Sequence, residues 1–169
     1  MASNIQEFDS KHGFSVDQTT VIDSLRNAKD INSLEIKNRN YSDSFSQYYI
    51  LRGLNTSILA TDDVGSQIIL PNNSVSFIRS TILAVNETGA GIYHAKLESS
   101  ISTDGTGNST VLSGMTTIIR DTIPSGQTWS IVPFIGGGSN RFSYSTTRAG
   151  TTLAIKWFVY AEVVNISYL

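Results

Sequence analysis

The sequence predicts an all-β protein, an antiparallel β-sandwich or jelly roll with an extended N-terminal arm, and three observations carry that expectation. From about Gln47 onward apolar residues recur with a period of two, in runs rich in Ile, Val, Thr, Tyr and Phe. Turn sequences such as Pro71-Asn72-Asn73, Asp104-Gly105-Thr106-Gly107-Asn108 and Gly136-Gly137-Gly138 separate those runs at regular spacing. No helical pattern lies between them, which excludes a parallel βαβ architecture. The chain accordingly divides into an arm, residues 1–45, and a β-domain, residues 46–169.

The arm holds Lys11, Arg26, Lys29, Lys37 and Arg39 and has few aromatic residues. Val21, Leu25, Ala28, Ile31 and Leu34 fall at spacings of four and three, which suits a helical turn or two with Thr20 and Asp23 as caps. Ile22 and Ile36 lie off that stripe, and Asn27, Asn32 and Ser33 are weak helix formers. The segment therefore reads as a largely extended attachment device, docked on another protein.

Gln47–Leu54 is the first expected strand of the β-domain. Ser57–Ala60 and Gln67–Leu70 follow, separated by the turn Asp62-Asp63-Val64-Gly65. Val75–Val85 is apolar on both faces, so it is expected to be covered twice. Gly91–Ser102 and Thr110–Asp121 flank the Asp104–Asn108 loop, whose glycines supply the positive φ of a hairpin. Thr128–Phe134, Arg141–Ser145 and the long run Thr151–Leu169 complete the set. In that run Leu153, Ile155, Trp157, Val159, Ala161 and Val163 form a core face. The opposite face carries Phe158, Tyr160 and Val164 among charged residues, which makes these three the candidate oligomer interface. At about 3.3 Å per residue the run would extend roughly 60 Å, so a bend or a crossing to a neighbouring subunit is expected.

Charge and composition narrow the chemistry. Lys and Arg total 12 against 14 Asp and Glu, a net charge of −2, so the basic excess needed for phosphate binding is missing and nucleic acid is not an expected partner. There is no cysteine, hence no disulfide, thiolate nucleophile or Cys-bound metal. The two histidines, His12 and His94, stand in different parts of the chain, and no Gly-x-Ser-x-Gly elbow occurs. A non-enzymatic protein with no cofactor and no metal is the expectation. Asp104-Gly105-Thr106-Gly107-Asn108 lacks the acidic residue that closes a calcium loop. Gly136-Gly137-Gly138 lacks the lysine of a phosphate loop. Asp104, Gly105, Asn108, Gly136, Gly137 and Gly138 are instead candidates for loop contacts, and an exposed Tyr or Trp could offer a platform to a host-surface glycan. The N-terminus has no signal-peptide pattern and no stretch approaches the roughly 20 apolar residues of a membrane helix, so synthesis in a cytoplasm without membrane anchoring is expected. Asn-x-Ser/Thr triplets at Asn40, Asn55, Asn72, Asn86, Asn108 and Asn165 are what so Asn-, Ser- and Thr-rich a chain produces by chance.

Three strings resemble virion structural proteins of marine tailed phages, of the cyanophage type: Gln47-Tyr48-Tyr49-Ile50-Leu51-Arg52-Gly53-Leu54-Asn55-Thr56, Pro124-Ser125-Gly126-Gln127-Thr128-Trp129, and Arg141 to Thr152 leading into Lys156-Trp157. The likeness covers most of residues 45–165. It implies a virion component assembled in the host cytoplasm, either a capsid decoration or a head or tail fibre-like part, with a carbohydrate-binding adhesin module as the alternative. A homotrimer, attached to other capsid or tail proteins through residues 1–45, is the assembly expected from this fold type.

Overall fold

The computed structural model describes residues 14–16, 19–22, 28 and 31–169. They form two compact units, residues 1–32 and 33–169. In the first, β1 (Phe14–Val16) pairs antiparallel with β2 (Thr19–Ile22). No helix stands among the described residues of the span 20–34, where a helical turn is expected: β2 covers its start, Ala28 bridges Ile22, and β3 (Ser33–Ile36) covers its end. The β-branched Ile22 and Ile36, off the helical stripe, favour this outcome. Ala28 apart, residues 23–30 lie outside the described residues, as does His12.

The second unit contains two antiparallel sheets and no helix. β4 (Ser44–Leu54), β6 (Ser74–Asn86), β7 (Ile92–Thr103), β8 (Ser109–Asp121) and β11 (Ile155–Ser167) join β3 in the order β3-β4-β11-β6-β7-β8. β5 (Ile68–Ile69), β9 (Thr128–Ile135) and β10 (Arg141–Ala149) form the other, ordered β5-β10-β9. Both sheets stay open. β3, inside the span expected to be an arm, pairs Leu34 with Tyr48 on β4. The expected strand at Ser57–Ala60 is reduced to two single bridges, Ile58 to Ser145 and Ala60 to Arg52, because this short piece ties β10 to β4 and extends neither sheet.

Strict alternation builds the core. Trp157, Val159, Ala161 and Val163 of β11 are buried beside Leu51, Ile78, Ile82, Ala84, Ala95, Leu97 and Ile101 of the neighbouring strands. Trp129, Ile131, Phe142 and Tyr144 from β9 and β10 join the same cluster, and the Tyr144 hydroxyl meets Ser80 Oγ at 2.6 Å in the interior. That contact satisfies both buried hydroxyls, which would otherwise cost about 1–3 kcal/mol each.

Two of the three strings that resemble phage proteins, residues 47–56 and residues 141–152 with their continuation to Trp157, meet at one joint. Asn55, at φ 56°, accepts hydrogen bonds on Oδ1 from Ile155 N (2.9 Å) and Arg148 (3.2 Å), and its carbonyl accepts one from Trp157 Nε1 (2.9 Å). Arg148 also donates to the carbonyls of Thr152 and Leu153. This clamp turns residues 151–154 aside, so β11 begins at Ile155 and is shorter than the run read from the sequence.

Candidate assembly and binding face

With β11 at the centre of the six-stranded sheet, the residues that alternate away from the core form a broad outer face. Register aligns them in rows across the strands. One row runs Tyr48, Glu162, Arg79, Glu98, Met115; the next runs Ile50, Tyr160, Thr81, Lys96, Thr117. On the flanks lie Val164 beside Phe77, Ile166 beside Val75, and Phe158 beside Leu83. The face thus has a charged band across its middle with apolar residues of β6 and β11 on either side. Phe77, Leu83, Tyr160, Val164 and Ile166 are all exposed there, and Phe158 is half-buried.

Glu162 organises the centre. Its Oε2 lies 2.7 Å from Arg79, and its Oε1 accepts hydrogen bonds from the hydroxyls of Tyr48 (3.1 Å) and Ser46 (3.3 Å). The Tyr48 and Tyr160 rings stack with centroids 6.0 Å apart and planes 19° from parallel. Partial burial, then Tyr48 and Glu162, push the Tyr160 phenol above its ordinary pKa. Beside this group lies a depression of about 310 Å³ lined by Arg79, Thr81, Lys96, Glu98, Tyr160 and Glu162. A second, of about 220 Å³, shares Glu98 and reaches Phe77, Ser113 and Met115. Glu98 and Lys96 have no ion partner among the described residues.

The structure thus places the sequence-predicted Phe158, Tyr160 and Val164 together on β11 and surrounds them with residues that the sequence alone did not single out: Tyr48, Arg79, Glu98, Phe77 and Leu83. The loop candidates also meet. Asp104 Oδ1 accepts from the amides of Thr106 and Asn108 (both 2.9 Å), which holds its carboxyl below the usual carboxylate range, the Asn108 amide contributing most. Ser109 N donates to the Ser139 carbonyl, tying the Asp104–Asn108 loop to the Gly136–Gly138 loop at one end of the unit. His94 points outward from β7 between Leu83 and Arg120. Among the described residues no three His, Cys, Asp or Glu side chains are grouped to hold a metal.

No protein-family model matches the chain, and no curated protein does. Two solved structures are similar to it. One is the tailspike protein gp49 of Acinetobacter baumannii bacteriophage Fri1, a capsular polysaccharide depolymerase, 18% identical over 82% of this chain with a TM-score of 0.44. The other is the tailspike of Acinetobacter baumannii phage AM24, 10% identical over 72% of this chain with a TM-score of 0.33. Both are phage tailspikes. The chain spans only 20% and 26% of their lengths.

One expectation is corrected by this comparison. The non-enzymatic reading does not stand, because the Fri1 tailspike is an enzyme. Two separated histidines and the lack of cysteine do not exclude cleavage of a polysaccharide, since glycoside hydrolysis can run on a pair of carboxylates. Scarcity of histidine and cysteine therefore does not separate this chain from such proteins.

Proposed function

We propose that the chain is a β-domain of a tail fibre-like component of a phage virion, and that it joins copies of itself into a trimer through the outer face of the six-stranded sheet. One observation carries the reading: Phe77, Leu83, Tyr160, Val164 and Ile166 lie exposed on β6 and β11 as apolar patches on either side of the Glu162–Arg79 row. Exposed apolar patches bordered by polar residues mark an interaction surface. Five strands at about 4.8 Å spacing and strands near 43 Å long give a face of roughly 1,000 Å². That is close to the ~800 Å² each partner brings to a stable interface. We take the two open sheets as a β-sandwich of jelly-roll type, residues 1–45 as the attachment to other virion proteins, and the marine-phage strings as support for the virion setting. A capsid-decoration station has no observation in its favour here.

A second reading has its own support. The stacked Tyr48–Tyr160 pair, beside Glu98 and Lys96, which have no ion partner among the described residues, offers ring stacking and charged hydrogen-bond partners to a sugar. Light scattering of the wild-type chain and of Val164→Glu separates the two. Self-assembly predicts a multiple of the chain mass that falls to one chain in the variant. A monomeric wild type that binds polysaccharide, and loses binding on Tyr160→Ala, would support the sugar site instead.

A further inference from the structure

The charges in the middle of the outer face do not all find partners within one chain. Six rows cross the face on β6 and β11, from Val75 beside Ile166 at one end to Val85 beside Lys156 at the other. The two middle rows carry Glu162, Arg79 and Glu98, then Tyr160, Thr81 and Lys96. Arg79 stands directly opposite Glu98, yet its guanidinium turns to Glu162 and meets it at 2.7 Å. Glu162 also accepts from two hydroxyls. Lys96 and Glu98 are left with no ion partner among the described residues.

We infer that Lys96 of one copy pairs with Glu98 of the next copy of this chain, so that opposite charges set the register of the assembly. The inference rests on the self-assembly proposed above and names the contact that aligns it.

A charge inventory of the face assigns the pair. Once a neighbour seals the middle rows, water no longer solvates Lys96, and a charge stranded in a closed interface weakens association about 30-fold or more. Lys96 therefore needs a carboxylate. Among the described strand residues that alternate to this face, only Glu98 and Glu162 are acidic, and Glu162 is already engaged. Glu98 needs a cation in return. Arg52, His94, Arg120 and Lys156 occupy the last two rows at one end, where the rim of an interface stays in water and asks for no partner. Lys96 is the cation left in the middle.

Shape and spacing agree with that assignment. The depression of about 310 Å³ is bounded by Lys96, Glu98, Arg79, Tyr160 and Glu162. A hollow left empty under a closed interface forfeits the contacts of its lining, and a lining this polar suits a charged side chain entering from the neighbour. Lys96 and Glu98 are two residues apart on one face of β7, about 6.6 Å along the strand. Equivalent residues brought together would set like charges against each other; a shift of that one step sets Lys96 against Glu98. A contact between two different residues runs head to tail, the kind from which a closed ring is built.

Because the chain has no cysteine, single introduced thiols report the contact. A mixture of the Lys96→Cys chain with a longer, tagged Glu98→Cys chain, treated with a short bis-maleimide, should give a covalent pair holding one of each on a denaturing gel. The Lys96→Cys chain alone should give none. Homodimers of Lys96→Cys, or no mixed pair from chains that assemble, would overturn the inference. In parallel, Lys96→Glu and Glu98→Lys should each weaken association about 30-fold or more in a dilution series, with circular dichroism showing both folded. The double variant Lys96→Glu/Glu98→Lys, which keeps the pair with its ends exchanged, should recover wild-type association. A double variant that stays as weak as the single ones would mean that the two residues do not meet. If the wild type assembles and the single variants assemble equally well, the Lys96–Glu98 contact fails while the self-assembly reading survives. A monomeric wild type sinks the self-assembly reading itself.

Discussion

Glu162→Gln separates an exposed face from a buried one by magnitude alone. In a single chain the Arg79–Glu162 pair is a surface ion pair, with side-chain exposures of 52% and 20%, and such pairs contribute up to about 1 kcal/mol. Glutamine keeps an oxygen that accepts from Tyr48 and Ser46, so unfolding measured in the monomeric Val164→Glu background should shift by no more than about 1 kcal/mol. In the assembled form a neighbour seals the face. Arg79 then loses both water and its carboxylate, and stranding a buried charge costs on the order of 2–4 kcal/mol. At 1.4 kcal/mol per tenfold, the association constant should fall by roughly 30- to 700-fold at each interface. A dilution series followed by sedimentation velocity reads that change. An unchanged association equilibrium, with wild type assembled, would show that the face stays in water and is not the interface.

Three further outcomes follow from the geometry. Gly150→Ala and Gly89→Ala share a φ of +74°, but a Cβ at Gly150 would overlap the Gly126 carbonyl whereas nothing lies within 4 Å at Gly89; thermal unfolding should show about 1 kcal/mol lost at Gly89 and clearly more at Gly150. Asp104 has a lowered folded pKa, so its contribution is present above the ordinary carboxylate value and is lost as pH falls through the folded one; acid should loosen amide exchange at residues 104–108 before the strands, and Asp104→Asn should abolish that pH dependence. Burial first, then Glu35, raise the Tyr49 phenol to about 12, and burial raises Tyr144 further. A raised folded pKa means stability complete below the ordinary phenol value near pH 10 and lost as pH climbs towards the folded value, so alkaline unfolding should begin there, and Tyr49→Phe should make it less steep.

How much of this was legible in the sequence depends on whether the signal is local. β11 was readable from its own alternation, since Trp157, Val159, Ala161 and Val163 need only a period of two to define a core face. The turns at Asp104–Asn108 and Gly136–Gly138 carried their own residue signatures, though not the fact that Ser109 and Ser139 tie them together. The row Tyr48, Glu162, Arg79, Glu98 was not readable, because it is created by the register of strands far apart in the chain. Ser57–Ala60 looks like a strand yet serves as a tie, a role fixed by the two strands it bridges. β8 bulges twice against β7, and this did leave a trace: Val111-Leu112 and Ile118-Ile119 are adjacent apolar pairs that break the period of two.

The central claim, that copies of this chain meet through the outer face of the six-stranded sheet, is tested most directly by sedimentation equilibrium of the wild-type chain over a wide concentration range. Assembly through that face gives a monomer–trimer equilibrium with a limiting mass of three chains. A single-chain mass at every concentration, or a limit of two chains, would contradict it.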